Sequence, residues 1–222
     1  MKQICESMLK IGEINMTNID DSIYMGLDPS LAGFGIAIID KVENKVILDE
    51  ISADDHHNFI LMSWAIANMY NEFIEKYSAF LTTNVRIAQE LPISAGINSG
   101  KLNALGIWFY NNLANLITYD HIKVYHPIKL KVFHHKKKYD KKDTIDVVED
   151  IFKIMELNGY EIDIRYSRTK KKLQITNNEA DAMMYAIKTY IDKNPHSVLT
   201  NDILDKYPNF SKIVSLNEEK SI

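Results

Sequence analysis

The sequence predicts an α/β fold in which an antiparallel three-stranded meander continues into parallel strands, giving one mixed sheet flanked by helices. Three observations predict it. Apolar residues alternate between turn residues over positions 23–51. The apolar period then changes to three and four over positions 58–81. A short strand-like run, Val85 to Leu91, follows that helix as in a βαβ crossover.

The 222 residues suit a single domain, 1–222, with an extension at 1–22, a core at 23–193 and a polar, peripheral tail at 194–222. Ile23, Met25 and Leu27 alternate as in a half-buried strand, Pro29 to Gly33 reads as a turn, and Phe34 to Ile39 reads as the returning strand. This hairpin carries a carboxylate, Asp28, at the end of its first strand. Gly33 and Gly35 remove bulk where the chain reverses, so a large group can approach closely beside Asp28. A strand-end Asp before Pro-Ser also serves as a turn-former that bonds its own backbone.

Lys45 to Ile51 is the third strand, after the polar turn Glu43-Asn44. From Asn58 to Leu81 the residues Phe59, Ile60, Trp64, Ile66, Met69, Tyr70, Phe73, Ile74, Tyr77 and Phe80 mark an amphipathic helix whose Met and aromatic stripe is expected in the core. Val85 to Leu91 is expected to pair parallel with the first strand and carries Glu90 near its end. Pro92 breaks it. A helix follows over Ser99 to Ile117 through Leu102, Leu105, Trp108, Phe109, Leu113 and Leu116, then a strand over Ile122 to Tyr125. Lys142 to Leu157 is helical on Ile145, Val148, Ile151, Phe152 and Met155. The final helix opens near Thr176, where Thr176 and Glu179 fit a capping box that puts Asn178 and Asp181 on one face of the first turns.

The net charge of −4 hides a basic arm. Lys129, Lys131, Lys136, Lys137, Lys138, Lys141 and Lys142 stand against Asp140 alone, a local +6, so the rest of the chain carries −10. A smaller basic loop, Arg165 to Lys172, adds Arg168, Lys170 and Lys171. Phosphate contact is the expected use of both, the alternative being solvated loops. Lys142 stands out because it opens a helix, where a cation is not otherwise favoured. His126, His134 and His135 suit loop or phosphate contacts better than a metal, since the adjacent pair lacks one-face spacing. Tyr139 is a candidate wedge for opened base pairs, whereas Phe34 and Phe109 are expected in the core. The single cysteine, Cys5, excludes an intramolecular disulfide and a Cys-based zinc site. No apolar run approaches the ~18 residues of a membrane span. The expectation is a soluble, intracellular protein, and the Asn-, Lys- and Ile-rich composition is consistent with a viral protein in its host cell.

Asp28, Glu90 and Asp181 thus stand at two strand ends and a helix start, where sites gather in α/β sheets. Unpaired carboxylates in one cleft repel one another unless a cation is present. Hard oxygen donors suit Mg²⁺ or Mn²⁺, and two such ions support hydrolysis of a phosphodiester strand. Read singly, the same acids are a turn-former, a solvated strand end and a helix-start acid favoured by the macrodipole.

Four blocks in this order resemble the RNase H-like superfamily and, within it, the RuvC-type Holliday junction resolvases, over roughly Tyr24 to Tyr190. G-L-D-P-S-L-A-G-F-G resembles the family's opening strand, and A-Q-E-L-P-I-S-A-G-I-N-S its strand-ending Glu with the helix entry after it. H-P-I-K-L-K-V-F-H-H-K-K-K-Y-D-K-K-D-T-I resembles its lysine-bearing run, and N-N-E-A-D-A-M-M-Y-A-I its closing helix. The resemblance implies Asp28, Glu90 and Asp181, with Asn178, as the holders of two Mg²⁺ (or Mn²⁺) ions, these four and Lys142 as the catalytic set, and Lys131 and Lys142 as junction contacts. It implies a homodimer that acts on branched, four-way DNA. The chain departs from the pattern at Asn178, where the family commonly carries Asp or His. An amide oxygen can ligate Mg²⁺ but is neither charged nor a general base. Glu179, turned about 100° away on the helix, is assigned to the cap instead. Two alternatives stay open: a nuclease of the same superfamily acting on forks, flaps or RNA–DNA hybrids, and a junction-binding protein with impaired catalysis. A sugar-kinase or actin-like ATPase is disfavoured, because the chain has room for one such lobe and lacks nucleotide-binding glycine loops.

Overall fold

The computed structural model describes residues 21–30, 33–52, 59–91, 99–126, 141–165 and 175–216. Its strands are β1 (Ile23–Pro29), β2 (Gly33–Asp40), β3 (Lys45–Ser52), β4 (Val85–Glu90), β5 (Ile122–Tyr125) and β6 (Glu161–Arg165). They form one sheet in the order β5-β4-β1-β2-β3-β6. The meander β1-β2-β3 is antiparallel, while β1-β4, β4-β5 and β3-β6 are parallel. This is the mixed sheet the sequence predicts, an antiparallel meander continued by parallel strands. Five helices flank it: α1 (Phe59–Tyr77), α2 (Ser99–Ala114), α3 (Lys141–Leu157), α4 (Asn177–Lys193) and α5 (Val198–Lys206).

Both faces of the sheet are covered. Every residue of β1 and β2 is buried, so the hairpin is a central element and not the half-buried pair its alternation suggests. On one face Met25, Leu27, Phe34, Ile36 and Ile38 meet Met69, Phe73 and Tyr77 of α1 and Phe109 and Leu113 of α2. On the other, Tyr24, Ala37, Ile39, Val46 and Leu48 meet α3, α4 and α5. Phe34 and Phe109 are core residues, as expected, with ring centroids 4.5 Å apart.

Helix α4 lies directly on the hairpin. A Cβ placed on Gly26 would come within 1.9 Å of the Ala182 carbonyl oxygen, and one on Gly35 within 2.1 Å of the Asn178 carbonyl oxygen. The two glycines let helix and sheet backbones touch.

Four expectations are corrected. Trp64 is 67 % exposed, because the buried line of α1 runs Met69, Phe73, Tyr77 at four-residue steps, and Trp64, five residues before Met69, is turned well off it. On α2 Trp108 is exposed by the same geometry, the buried line being Phe109 and Leu113, and the helix ends at Ala114 short of the predicted Ile117, leaving Leu116 exposed in the turn after it. Strand β6, unpredicted, adds parallel to β3 from Lys45↔Glu161 to Asp49↔Arg165. The segment after Pro195 is not peripheral. Ser197 caps α5 by accepting from Thr200 N at 3.1 Å, and Leu199, Ile203, Phe210 and Ile213 are buried in the α4 core.

Candidate functional site

Side chains alternate across a strand, and register decides which of them become neighbours. On the α4 side of the sheet, register produces a row. Asp28 lies opposite Gly35 of β2, and Gly35 lies opposite Glu50 of β3. In the parallel ladder Leu27 is matched with Gln89, so the next step along each strand sets Asp28 beside Glu90. The row therefore reads Glu90, Asp28, Gly35, Glu50. Adjacent strands are about 4.8 Å apart, which puts Asp28 and Glu90 one strand spacing apart and Asp28 and Glu50 about 10 Å apart across a position with no side chain. Asp28 and Glu90 are buried, and Glu50 is half-buried. Each neighbour in sequence faces the other way. Asp49 accepts from the Tyr77 hydroxyl at 2.6 Å, and Gln89 donates to the Gly106 carbonyl at 2.6 Å.

The first turns of α4 stand over this row. The predicted capping box is present in both halves: Glu179 N donates to Thr176 Oγ1 at 3.1 Å and Thr176 N donates to Glu179 Oε2 at 2.6 Å. Glu179 is 1 % exposed. Its carboxyl is pushed up to about 7 by burial, opposed by the hydrogen bonds from Thr176 and reinforced by the charges of Glu50 and Asp49. The cap starts the helix where Asn178 covers Gly35, and Asn178 Nδ2 donates to Glu50 Oε1 at 3.1 Å. One turn after Asp181, Tyr185 donates its hydroxyl to Glu90 Oε2. Positions 181 and 185 share a helix face, so half-buried Asp181 stands on the side of α4 that reaches toward β4.

The structure thus brings Asp28, Glu90, Asn178 and Asp181 to one end of one face, and adds Glu50, which the sequence reading passed over. Among the described residues, no group of three His, Cys, Asp or Glu side chains is gathered tightly enough to hold a metal ion. The acids form a line, with Glu90 engaged by Tyr185 and Glu50 by Asn178. By type, all are oxygen donors of the kind a hard divalent cation takes, while the space over Gly35 is filled by the backbone of Asn178. Lys142 is exposed in the first turn of α3. Lys129, Lys131, Lys136, Lys137, Lys138, Arg168, Lys170, Lys171, His134, His135, Tyr139 and the Lys141 side chain lie outside the described residues.

No protein-family model matches the chain, and no curated protein matches it significantly. Among solved structures it is similar to Thermus thermophilus RuvC in complex with a Holliday junction substrate, at 11 % identity, a TM-score of 0.45, and coverage of 87 % of this chain and 99 % of that one. It is similar to a second Thermus thermophilus RuvC structure at 12 % identity, with the same TM-score and coverage. It is also similar to the human cytomegalovirus terminase nuclease domain at 14 % identity, a TM-score of 0.43, and coverage of 86 % and 91 %.

Proposed function

We propose that this chain is a metal-dependent, structure-selective endodeoxyribonuclease that nicks four-way DNA junctions as a homodimer. One observation carries the reading: Asp28 and Glu90 fall in register on adjacent strands beneath the α4 turn that bears Asn178 and Asp181. Asp28, Glu90, Asp181 and the Asn178 amide oxygen are the groups that would hold two Mg²⁺ or Mn²⁺ ions. The chemistry those ions supply when bound is activation of water and stabilisation of the leaving oxygen in an in-line displacement. The chain's own part is to hold the donors. The Tyr185 hydroxyl orients Glu90, and the capping box sets where α4 begins. Lys142 and the two basic segments of the sequence would supply phosphate contacts that recognise a branch point by its shape. A four-way junction has two equivalent strands to cut, which calls for two copies of the site.

The test is a panel of labelled four-way junction, fork, flap and RNA–DNA hybrid with and without Mg²⁺, using wild type and Asp28→Asn. Nicking of the junction by wild type, with binding but no nicking by the variant, is the expected result. Nicking retained by Asp28→Asn with metal present would refute the assignment. A second reading, a junction-binding protein with impaired turnover, is favoured by the uncharged Asn178 on the helix over the row. No turnover at any Mg²⁺ or Mn²⁺ concentration would select it.

A further inference from the structure

We propose that Glu50 is a positioning residue of the candidate site, holding the Asn178 side chain so that its oxygen, and not its N–H, is available to a cation. The inference rests on the functional reading above and deepens it. A primary amide is the one donor in this set that can present itself the wrong way round. Rotation by 180° about its last bond exchanges a carbonyl oxygen, which a divalent ion attracts, for an NH₂ group, which it repels. An ionised carboxylate accepts hydrogen bonds and cannot donate them, so Glu50 removes the ambiguity. The contact of 3.1 Å to Glu50 Oε1 must be made by Nδ2. The amide's oxygen and nitrogen lie on opposite sides of one carbon, so Oδ1 is turned away from Glu50.

The surrounding backbone is shaped for this pair. A Cβ on Gly33 would fall 2.4 Å from Glu50 Oε1 and 3.0 Å from Asn178 Nδ2. One on Gly35 would fall 3.1 Å from Asn178 Cβ and nearer still to its carbonyl. Both glycines of the β2 start therefore leave room for the hydrogen bond and for the residue that makes it. The partners are 128 positions apart in the chain, and the α4 cap next to Asn178 fixes the backbone from which its side chain extends. Groups that orient a metal ligand through its second polar atom commonly carry a 10–100-fold effect on affinity. That scale suits a half-buried contact at its lower end.

The experiment measures Mn²⁺ affinity of the full chain without DNA, by calorimetry or by electron paramagnetic resonance of the free ion, together with the melting temperature in chelator. Glu50→Ala is expected to weaken binding about tenfold. Glu50→Gln can donate as well as accept, so it lets the Asn178 amide turn either way and is expected to weaken binding by less than Glu50→Ala but measurably. In an Asn178→Ala background Glu50→Ala should cost nothing more, because two residues acting through one contact are not additive. A full further loss with Glu50→Ala in the Asn178→Ala background, or wild-type binding by both Glu50→Ala and Glu50→Gln, would mean that Glu50 does not act through Asn178, and would overturn the inference. Should Glu50→Ala not fold, Glu50→Thr, which suits a strand, takes its place. Asp28→Asn separates the two levels of the argument. If it abolishes binding while the Glu50 variants bind as wild type, only the positioning role fails. If Asp28→Asn binds as wild type, the metal site itself fails, and the role of Glu50 with it.

Discussion

Tyr185 donates its hydroxyl to Glu90 across the α4–β4 contact, one helical turn beyond Asp181. Both residues are buried, so the bond sets the direction of a carboxylate that water reaches poorly. Tyr185→Phe keeps the ring and deletes the bond. It is expected to cost about 1–3 kcal/mol in denaturant unfolding, as for a hydrogen bond to a charged group. If Glu90 is a ligand, nicking should fall about tenfold with junction affinity unchanged. Unchanged nicking despite the stability loss would leave Tyr185 with a packing role alone.

The seat of α4 on the hairpin predicts a graded glycine series. Gly26→Ala and Gly35→Ala drive a methyl into backbone atoms 1.9 and 2.1 Å away, whereas Gly33→Ala meets the flexible end of Glu50. The first two are expected to cost 3 kcal/mol or roughly that, or to prevent folding, as overpacking against an immovable neighbour does. Gly33→Ala should fold with a loss of about 1 kcal/mol while displacing the Glu50–Asn178 contact. Thermal melts of the three variants check the order.

Lys142, exposed at the start of α3, is expected to act as a phosphate contact. Lys142→Ala should weaken four-way junction binding a few-fold and lower the slope of log affinity against log salt by about 1. An unchanged slope in a salt titration would remove it from the interface.

Away from the site, α3 and the C-terminal segment are joined at Asp150. It is held by Lys206 at 2.8 Å, by Lys153 at 3.1 Å and by the Tyr207 hydroxyl at 2.9 Å. Hydrogen bonds from Lys206, then Lys153 and Tyr207, hold its carboxyl well below the usual carboxylate range. A depressed folded value means that the contribution is present above the unfolded value of about 3.9 and is lost as pH falls below it. With the group about one-third exposed, solvent screening limits it to about 1 kcal/mol. Asp150→Asn should therefore lower stability by about that amount at neutral pH, and the difference from wild type should shrink below about pH 4. Urea unfolding at both pH values checks it.

Local signals made much of this fold legible. The hairpin, the crossover to β4 and the Thr176–Glu179 capping box each depend on residues a few positions apart, and each is present. Some signals were there but outweighed. Ile162 and Ile164 alternate in β6, but the strand is short and adjoins a basic loop. Ser197, Leu199 and Ile203 carry the cap and the i, i+4 pair of α5 within a stretch whose polar composition suggests a tail. Trp64 shows the converse, a large apolar residue near helical spacing that turns out exposed.

By itself the sequence determined which residue types sit at strand ends and helix starts, because turn chemistry, capping and hydrophobic period are local properties of the chain. It singled out Asp28, Glu90 and Asp181 on that basis, and Asn178 as a departure from the family pattern the chain resembles. Only the tertiary structure decided which acids are neighbours. Glu50 joins the row because β2 pairs with β3 in the one register that puts Gly35 opposite it, and a shift of one residue would have presented Asp49 or Ile51 instead. Register is settled by the packing of both sheet faces at once, and the glycines that admit α4 count only after the helix has docked. That is why a hydrogen bond spanning 128 positions could not be read along the chain.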